Sequence, residues 1–447
     1  MAATALPTDS SISPDNDASE RGNIFASLRN RNFRLFFGGQ LISQTGSWLT
    51  MIAQTLLVLK LSNSSGVAVG FLMAFQFGPV LLLGAWAGAV ADRADKRTLL
   101  TWLQSAAMLQ SVALSVLIFT DHASLPAVYA LASLQGLITA FDNPCRRAFV
   151  VEMVPTEMLA NAVSLNSAIM TASRVVGPAL AGALVVSVGY GWTFLIDAAS
   201  YIAVIVGLLM MRPSELRVAP RTERAKGQVA EGLRYIKANQ MLFVPLVMMA
   251  IIGTFAFNLS VTVPLLVKND LHRGDGTFTL LFSVISVGSL AGSLWTAQRR
   301  QVTSSQLVMA TAAFGVSMMA LAVTPGLIAA FVLSVPLGFA SMTFMTSSTA
   351  IVQLLAAPEY RGRVLAIQAM VFLGSTPIGG PFVGWIADAA GPRPAIAVGA
   401  ISCIVASLYG ARALNVDLRQ LTPPRPWVSS PTDGPQTHDH VQAVRST

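Results

Sequence analysis

The sequence predicts an all-α integral membrane protein: twelve transmembrane helices arranged as two pseudo-symmetric six-helix bundles. Three observations predict it. Of 447 residues, 53% are hydrophobic and only 11% charged, against roughly 25% charged in a soluble domain. Apolar runs longer than the ~20 residues a helix needs to cross hydrocarbon recur along the chain; residues 67–91 and 98–120 hold no ionisable side chain at all. Such runs are too long and continuous for barrel strands. Charge, finally, is confined to the short connections between runs, as topology signals are.

The elements follow in order. Residues 1–34 form a polar cytoplasmic tail, with no short apolar segment and small-residue cleavage site that would mark a signal peptide. Six spans lie near 35–59, 66–90, 98–120, 125–145, 160–188 and 191–211, within a first bundle of residues 35–211. A basic cytoplasmic linker, 212–240, contains a stretch, 228–238, able to form an amphipathic helix lying on the membrane surface. The second bundle, 241–411, holds spans near 242–267, 278–298, 305–323, 326–355, 364–389 and 393–411. The tail from 412 to 447 is rich in Pro, Ser and Thr and is expected to be disordered. With both termini inside, the inner segments carry 24 Lys and Arg and the outer segments four, which places both termini in the cytoplasm.

At an offset of 202 residues, Gly136 meets Gly338, Glu157 meets Glu359, Gly177 meets Gly379, Gly182 meets Gly384 and Gly189 meets Gly391. This register is expected of parallel repeats related about the membrane normal.

Several chemistries are excluded. There is no Gly-rich loop ending in Gly-Lys-Ser/Thr and no His-Glu-x-x-His pair, and the four histidines fall in loops or the tail. No cofactor, no metal site and no enzyme activity are expected. The net charge of +8 is not arranged as a basic face interleaved with aromatics, so the partner is the lipid bilayer and not nucleic acid. Cys145 and Cys403 lie far apart and near or within spans, and read as buried, inert thiols.

Gly88, then Asp92-Arg93, then Lys96-Arg97, set between the second and third spans, resembles the signature of the major facilitator superfamily. Asp95 stands where that signature has Gly. The resemblance implies a cytoplasmic gate: Asp92 faces a helix N-terminus while Arg93, Lys96 and Arg97 pair across the two bundles. A carboxylate so placed is favoured by about 0.3–1 kcal/mol, a size suited to a latch that must open. The plainer reading is a charged turn that sets topology. In the second half, Gly292 with Arg299 and Arg300 occupies the corresponding place, but Thr296 replaces the Asp.

The run Asp142-Asn143-Pro144-Cys145-Arg146-Arg147-Ala148, with Asn32-Phe33-Arg34 at the mouth of the first span, resembles the bacterial efflux branch of that superfamily, which contains the enterobactin exporter. Asp142 and Arg146 are spaced i, i+4 and can pair on a helix, as a gate or as an interfacial anchor. Arg174 lies roughly 21 Å along the fifth span at 1.5 Å per residue, near mid-membrane. At a cost of at least ~2.5 kcal/mol it must face the interior and meet a carboxylate, a carbonyl or an anionic substrate group. Asp142 and Asp197 are the nearest carboxylates by span order. Gly177-Pro178, followed by Gly182, resembles the helix-bending motif of superfamily antiporters and implies export. Many proton-coupled members place an Arg three residues before the Gln135-Gly136 pair, where this chain has Ala132. Asp197 and Asp142 are therefore the candidate proton carriers, with Arg174 as the replacement cation. Gln40, Gln44, Asn166, Asn258 and Gln368 are candidates for the lining of a substrate cavity.

The resemblance implies a monomeric secondary transporter of the bacterial inner membrane. It would export a small amphipathic molecule, a drug or something siderophore-like, by alternating access in antiport with protons. A siderophore-specific exporter and a membrane sensor or scaffold without transport are the alternatives.

Overall fold

The computed structural model describes residues 25–217, 228–299 and 302–416. The N-terminal tail before 25, residues 218–227 of the linker and the tail from 417 lie outside the described residues. Among the described residues the elements are helical: α1 Arg31–Leu61, α2 Gly66–Arg93, α3 Lys96–Phe119, α4 Leu125–Met153, α5 Leu159–Leu209, α6 Gln228–Ala238, α7 Gln240–Phe255, α8 Leu259–Leu265, α9 Asp275–Ala297, α10 Ser304–Ala322, α11 Leu327–Leu355, α12 Pro358–Ala390 and α13 Pro392–Ala413.

Ten helical segments are long and apolar enough to cross a membrane, against the twelve spans expected. The fifth and sixth spans run together as α5, whose 51 residues would extend roughly 77 Å at 1.5 Å per residue, far beyond a ~30 Å hydrocarbon core. The run turns at Gly189, held at φ 83°, ψ 173°, a conformation that only glycine adopts without strain. The first span, α1, is long enough at 31 residues but interrupts its apolar face with Asn32, Gln40, Gln44 and Gln54. The seventh expected span counts among the ten, as Gln240–Asp270, although its helix is broken. α7 ends at Phe255 and α8 begins at Leu259, and between them the Asn258 amide donates to the Thr254 carbonyl at 2.7 Å.

The 202-residue register has a structural counterpart. Gly391 ends α12 at φ 100°, ψ 165°, so the same left-handed corner separates the last two spans of each half. Gly136 packs α4 on the Gln76 carbonyl of α2, and Gly338 packs α11 on the Ile285 carbonyl of α9; a Cβ at either would overlap that backbone. Gly177 abuts Trp48 of α1, and Gly379 abuts Thr254 of α7. Gly182 and Gly384 each reach into the opposite half, against Thr279 of α9 and Gly66 of α2. Small residues let these helix pairs approach closely enough for dispersion to bind them.

The helix at 228–238 has the expected bounds, but its apolar side meets protein instead of lipid. Ile236 is buried with Leu242, Val352 and Ile367, Tyr235 stacks on Tyr360 at 4.3 Å, and Glu231 pairs with Arg363 at 2.8 Å. Amphipathic patterning specifies an apolar stripe and leaves open what covers it.

Candidate functional site

The charged side chains sort by face. On the face where α1 begins and α2 meets α3, the bonds of Lys96 and Arg97 stay within the first half. Lys96 pairs with Glu152 of α4 at 2.7 Å. Arg97 donates to the carbonyls of Leu208 and Leu209, the open C-terminal end of α5. Asp92 and Arg93 are exposed at the end of α2, and Gly88 is buried one turn before them. Asp95 resolves its own departure from the family signature. It sits at φ −65°, ψ 111°, extended backbone that needs no glycine, and its carboxylate caps α3 by accepting from the Thr98 amide at 2.6 Å. Hydrogen bonding from the Thr98 side chain and then its amide, helped by Arg97 and Lys96, holds the Asp95 carboxyl below its usual range. Nearby, Asn32 exchanges two hydrogen bonds with the Arg212 backbone, tying the start of α1 to the chain just beyond α5.

On the opposite face two carboxylates, Asp388 and Asp275, accept hydrogen bonds across the halves. Asp388, in the last turn of α12, accepts from the Ser65 hydroxyl at 2.7 Å and from the first backbone amides of α2, Gly66 and Val67. A carboxylate at the positive end of a helix is the arrangement the sequence reading assigned to Asp92. Here it is Asp388 that supplies it, at the other end of the same helix. Beside it, the Tyr190 hydroxyl donates to Asp275 at 2.6 Å, and Lys268 pairs with the same carboxylate at 3.1 Å. Sequence reasoning missed Asp388; the signal was a lone acid three residues before the Gly391 corner.

Between these faces lie two cavities. One, of 170 Å³, lies within the first half and is bordered by Trp48, Thr50, Gln54, Gln76, Gln135 and Tyr201. Gln76 donates to Gln54 at 2.6 Å, while Gln54 Nε2, Gln76 Oε1 and Gln135 Oε1 have no protein partner. The other, of 210 Å³, lies between the halves, with Gln44, Trp48 and Arg174 on one side and Ser286, Ser289 and Met342 on the other. Trp48 borders both. Gly177 gives α5 its close approach to Trp48; Pro178 follows inside the helix, and Gly182 meets Thr279 across the halves.

The intramembrane charges do not pair as span order suggests. Asp142 forms an ion pair with Arg146 and accepts from Gln104 at 2.8 Å, and Arg146 also donates to Gln40. Asp197, fully buried, accepts from the hydroxyls of Thr50 at 2.5 Å, Ser111 at 2.7 Å and Ser200 at 3.4 Å, with no cation among the described residues. Arg174 meets neither carboxylate. Its guanidinium lies over the Trp48 ring, 5.6 Å from the centroid. Of the five polar residues expected in the substrate cavity, Gln44 lines the inter-half one. Gln40 is bound to Arg146, Gln368 donates to Ser348 at 2.9 Å, Asn258 donates to its own helix, and Asn166 borders neither cavity.

Residues 22–435 match the family described as transmembrane secretion effectors. The chain belongs to this family. Relatives at moderate identity cover most of its length. The staphyloferrin A transporter of Staphylococcus aureus is 24% identical over 387 residues, 84% of this chain and 95% of its own. The multidrug efflux pump Tap of Mycolicibacterium fortuitum is 28% identical over 366 residues, 78% and 88% respectively. A solved POT family transporter in complex with 5-aminolevulinic acid shares the fold at a TM-score of 0.71 and 10% identity, over 85% of this chain and 95% of that one. The chain is a major facilitator transporter of the membrane and not an enzyme.

Proposed function

We propose that this transporter exports a small amphipathic molecule across the bacterial cytoplasmic membrane by alternating access, with both termini in the cytoplasm. The observation that carries the reading is a cavity shared by the two halves, with bonds that join the halves on the face opposite the start of α1. The halves rock about that cavity. Opening outward requires Asp388 to leave its three donors at the α2 N-terminus and Tyr190 to leave Asp275. Each is a hydrogen bond to a charged group, worth about 1.5–3 kcal/mol net, and water can replace it as the face opens.

Protons drive the cycle in this reading, and Asp197 is their carrier. Asp142 cannot change charge without breaking its pair with Arg146, whereas Asp197 has only hydroxyl donors around it. Thr50 links Asp197 to the glutamine-lined cavity. The gate at Asp92, Arg93, Lys96 and Arg97 would form on the cytoplasmic side when the far face opens.

The test is an efflux panel of drugs and siderophores in cells lacking their own pumps, with and without an uncoupler. Lower accumulation of one class, abolished by the uncoupler and by Asp197→Asn, is the expected result. Accumulation unchanged across the panel would overturn the exporter reading.

A further inference from the structure

We infer that the inter-half cavity is a subsite for a carboxylate, so that the molecule this transporter carries is an amphipathic anion. The inference deepens the export reading and names the charge of its substrate. Arg174 brings five N–H donors into the cavity and, among the described residues, spends none on a hydrogen bond or an ion pair; its recorded contact is the Trp48 ring. The cation–π contact uses none of the N–H donors, and a guanidinium fork with its donors unspent matches a carboxylate with two parallel bonds. On the facing wall, Ser286 donates to the Phe282 carbonyl and Ser293 to that of Leu290. Ser289, 5% exposed, makes no hydrogen bond among the described residues. Two unspent donors from opposite halves therefore border one space. An anion held by both ties α5 to α9.

The rest of the wall sets the substrate's body. Met170, Leu290 and Met342 are apolar and Trp48 is aromatic, so a charged head beside a hydrophobic group is accommodated and a small hydrated anion is not. Arg174 is costly to hold within the bilayer, and among the described residues only the Trp48 ring, through its quadrupole, repays part of that cost. A substrate carboxylate adds the opposite charge.

The experiment measures binding to the purified full chain in nanodiscs, with 4-tert-butylbenzoate, its neutral amide and inorganic phosphate as probes. The benzoate is expected to bind at least about tenfold more tightly than the amide, the worth of one charge-assisted bond. Arg174→Gln should abolish that preference without lowering the unliganded melting temperature, and Arg174→Lys should retain most of it. Ser289→Ala should weaken the benzoate by about two- to fivefold. Equal binding of benzoate and amide, an unchanged preference in Arg174→Gln, or no saturable benzoate binding at all would overturn the inference. So would phosphate binding as tight as benzoate with the same Arg174 dependence, since that marks a simple anion hole open to phosphate or lipid headgroups. Because equilibrium binding needs no transport, an empty efflux panel with intact benzoate selectivity would defeat the export reading alone.

Discussion

The two ends of α2 handle charge in opposite ways. At Gly66 the exposed backbone amides are satisfied by a carboxylate from the other half, through Asp388. At the Arg93 end the neighbouring basic residues are satisfied from within: Lys96 by Glu152, and Arg97 by the end of α5. The difference separates a latch from a brace. A bond that crosses the halves changes the balance between conformations when broken, because it exists in one of them. A bond inside one half is kept in both, so its loss weakens the fold and leaves the balance alone.

Breaking the brace should have the largest effect. Lys96 and Glu152 are 10% and 5% exposed, and removing one partner of such a pair costs about 3–5 kcal/mol because a charge is left buried. Glu152→Gln should lower the melting temperature and expression together, without changing which face is open in the protein that survives. Next comes Gly384→Leu. A Cβ there overlaps the Gly66 carbonyl and must push α2 from α12, an overpacking of about 1–3 kcal/mol. Spin labels at Asn63 and Ala390 should move apart. Asp388→Asn removes the latch charge alone and should shift the same equilibrium toward far-face opening by about two- to thirtyfold; an unchanged label distance would make Asp388 another brace.

The smallest effect concerns Asp95. Its carboxyl is held below the ordinary value by the Thr98 hydrogen bond, so the cap contributes fully above the unfolded value of about 3.9 and fades as pH falls through the folded one. Asp95→Asn keeps an acceptor and should flatten that acid limb of the stability curve, read as the unfolding midpoint from pH 6 to pH 3.

What the sequence conveyed follows the same division. Charge placement and apolar length depend on the bilayer, which is common to every membrane protein, so the helices were legible, and with them the place of Arg174 within a helix that faces the other half. So was the repeat, because Gly189 and Gly391 must be glycines at left-handed corners and their spacing survives in both halves. Partners were not legible. Arg174 meets Trp48 from α1, and span order between carboxylates cannot reveal an aromatic partner. The α6 stripe could not announce that α11 and α12 would cover it. Asp388 was hidden because its bond joins residues more than 300 positions apart, through backbone amides that carry no sequence identity.

Trp48 stands as a partition between two chambers, the glutamine-lined one and the one shared by the halves. A partition has one position at a time. A guest that tilts the indole to reach Arg174 redraws the room next door, where Thr50 reaches toward Asp197. In the export reading, only the Trp48 ring, the glutamine-lined chamber and Thr50 then stand between the cargo chamber and the carboxylate that lacks a cation.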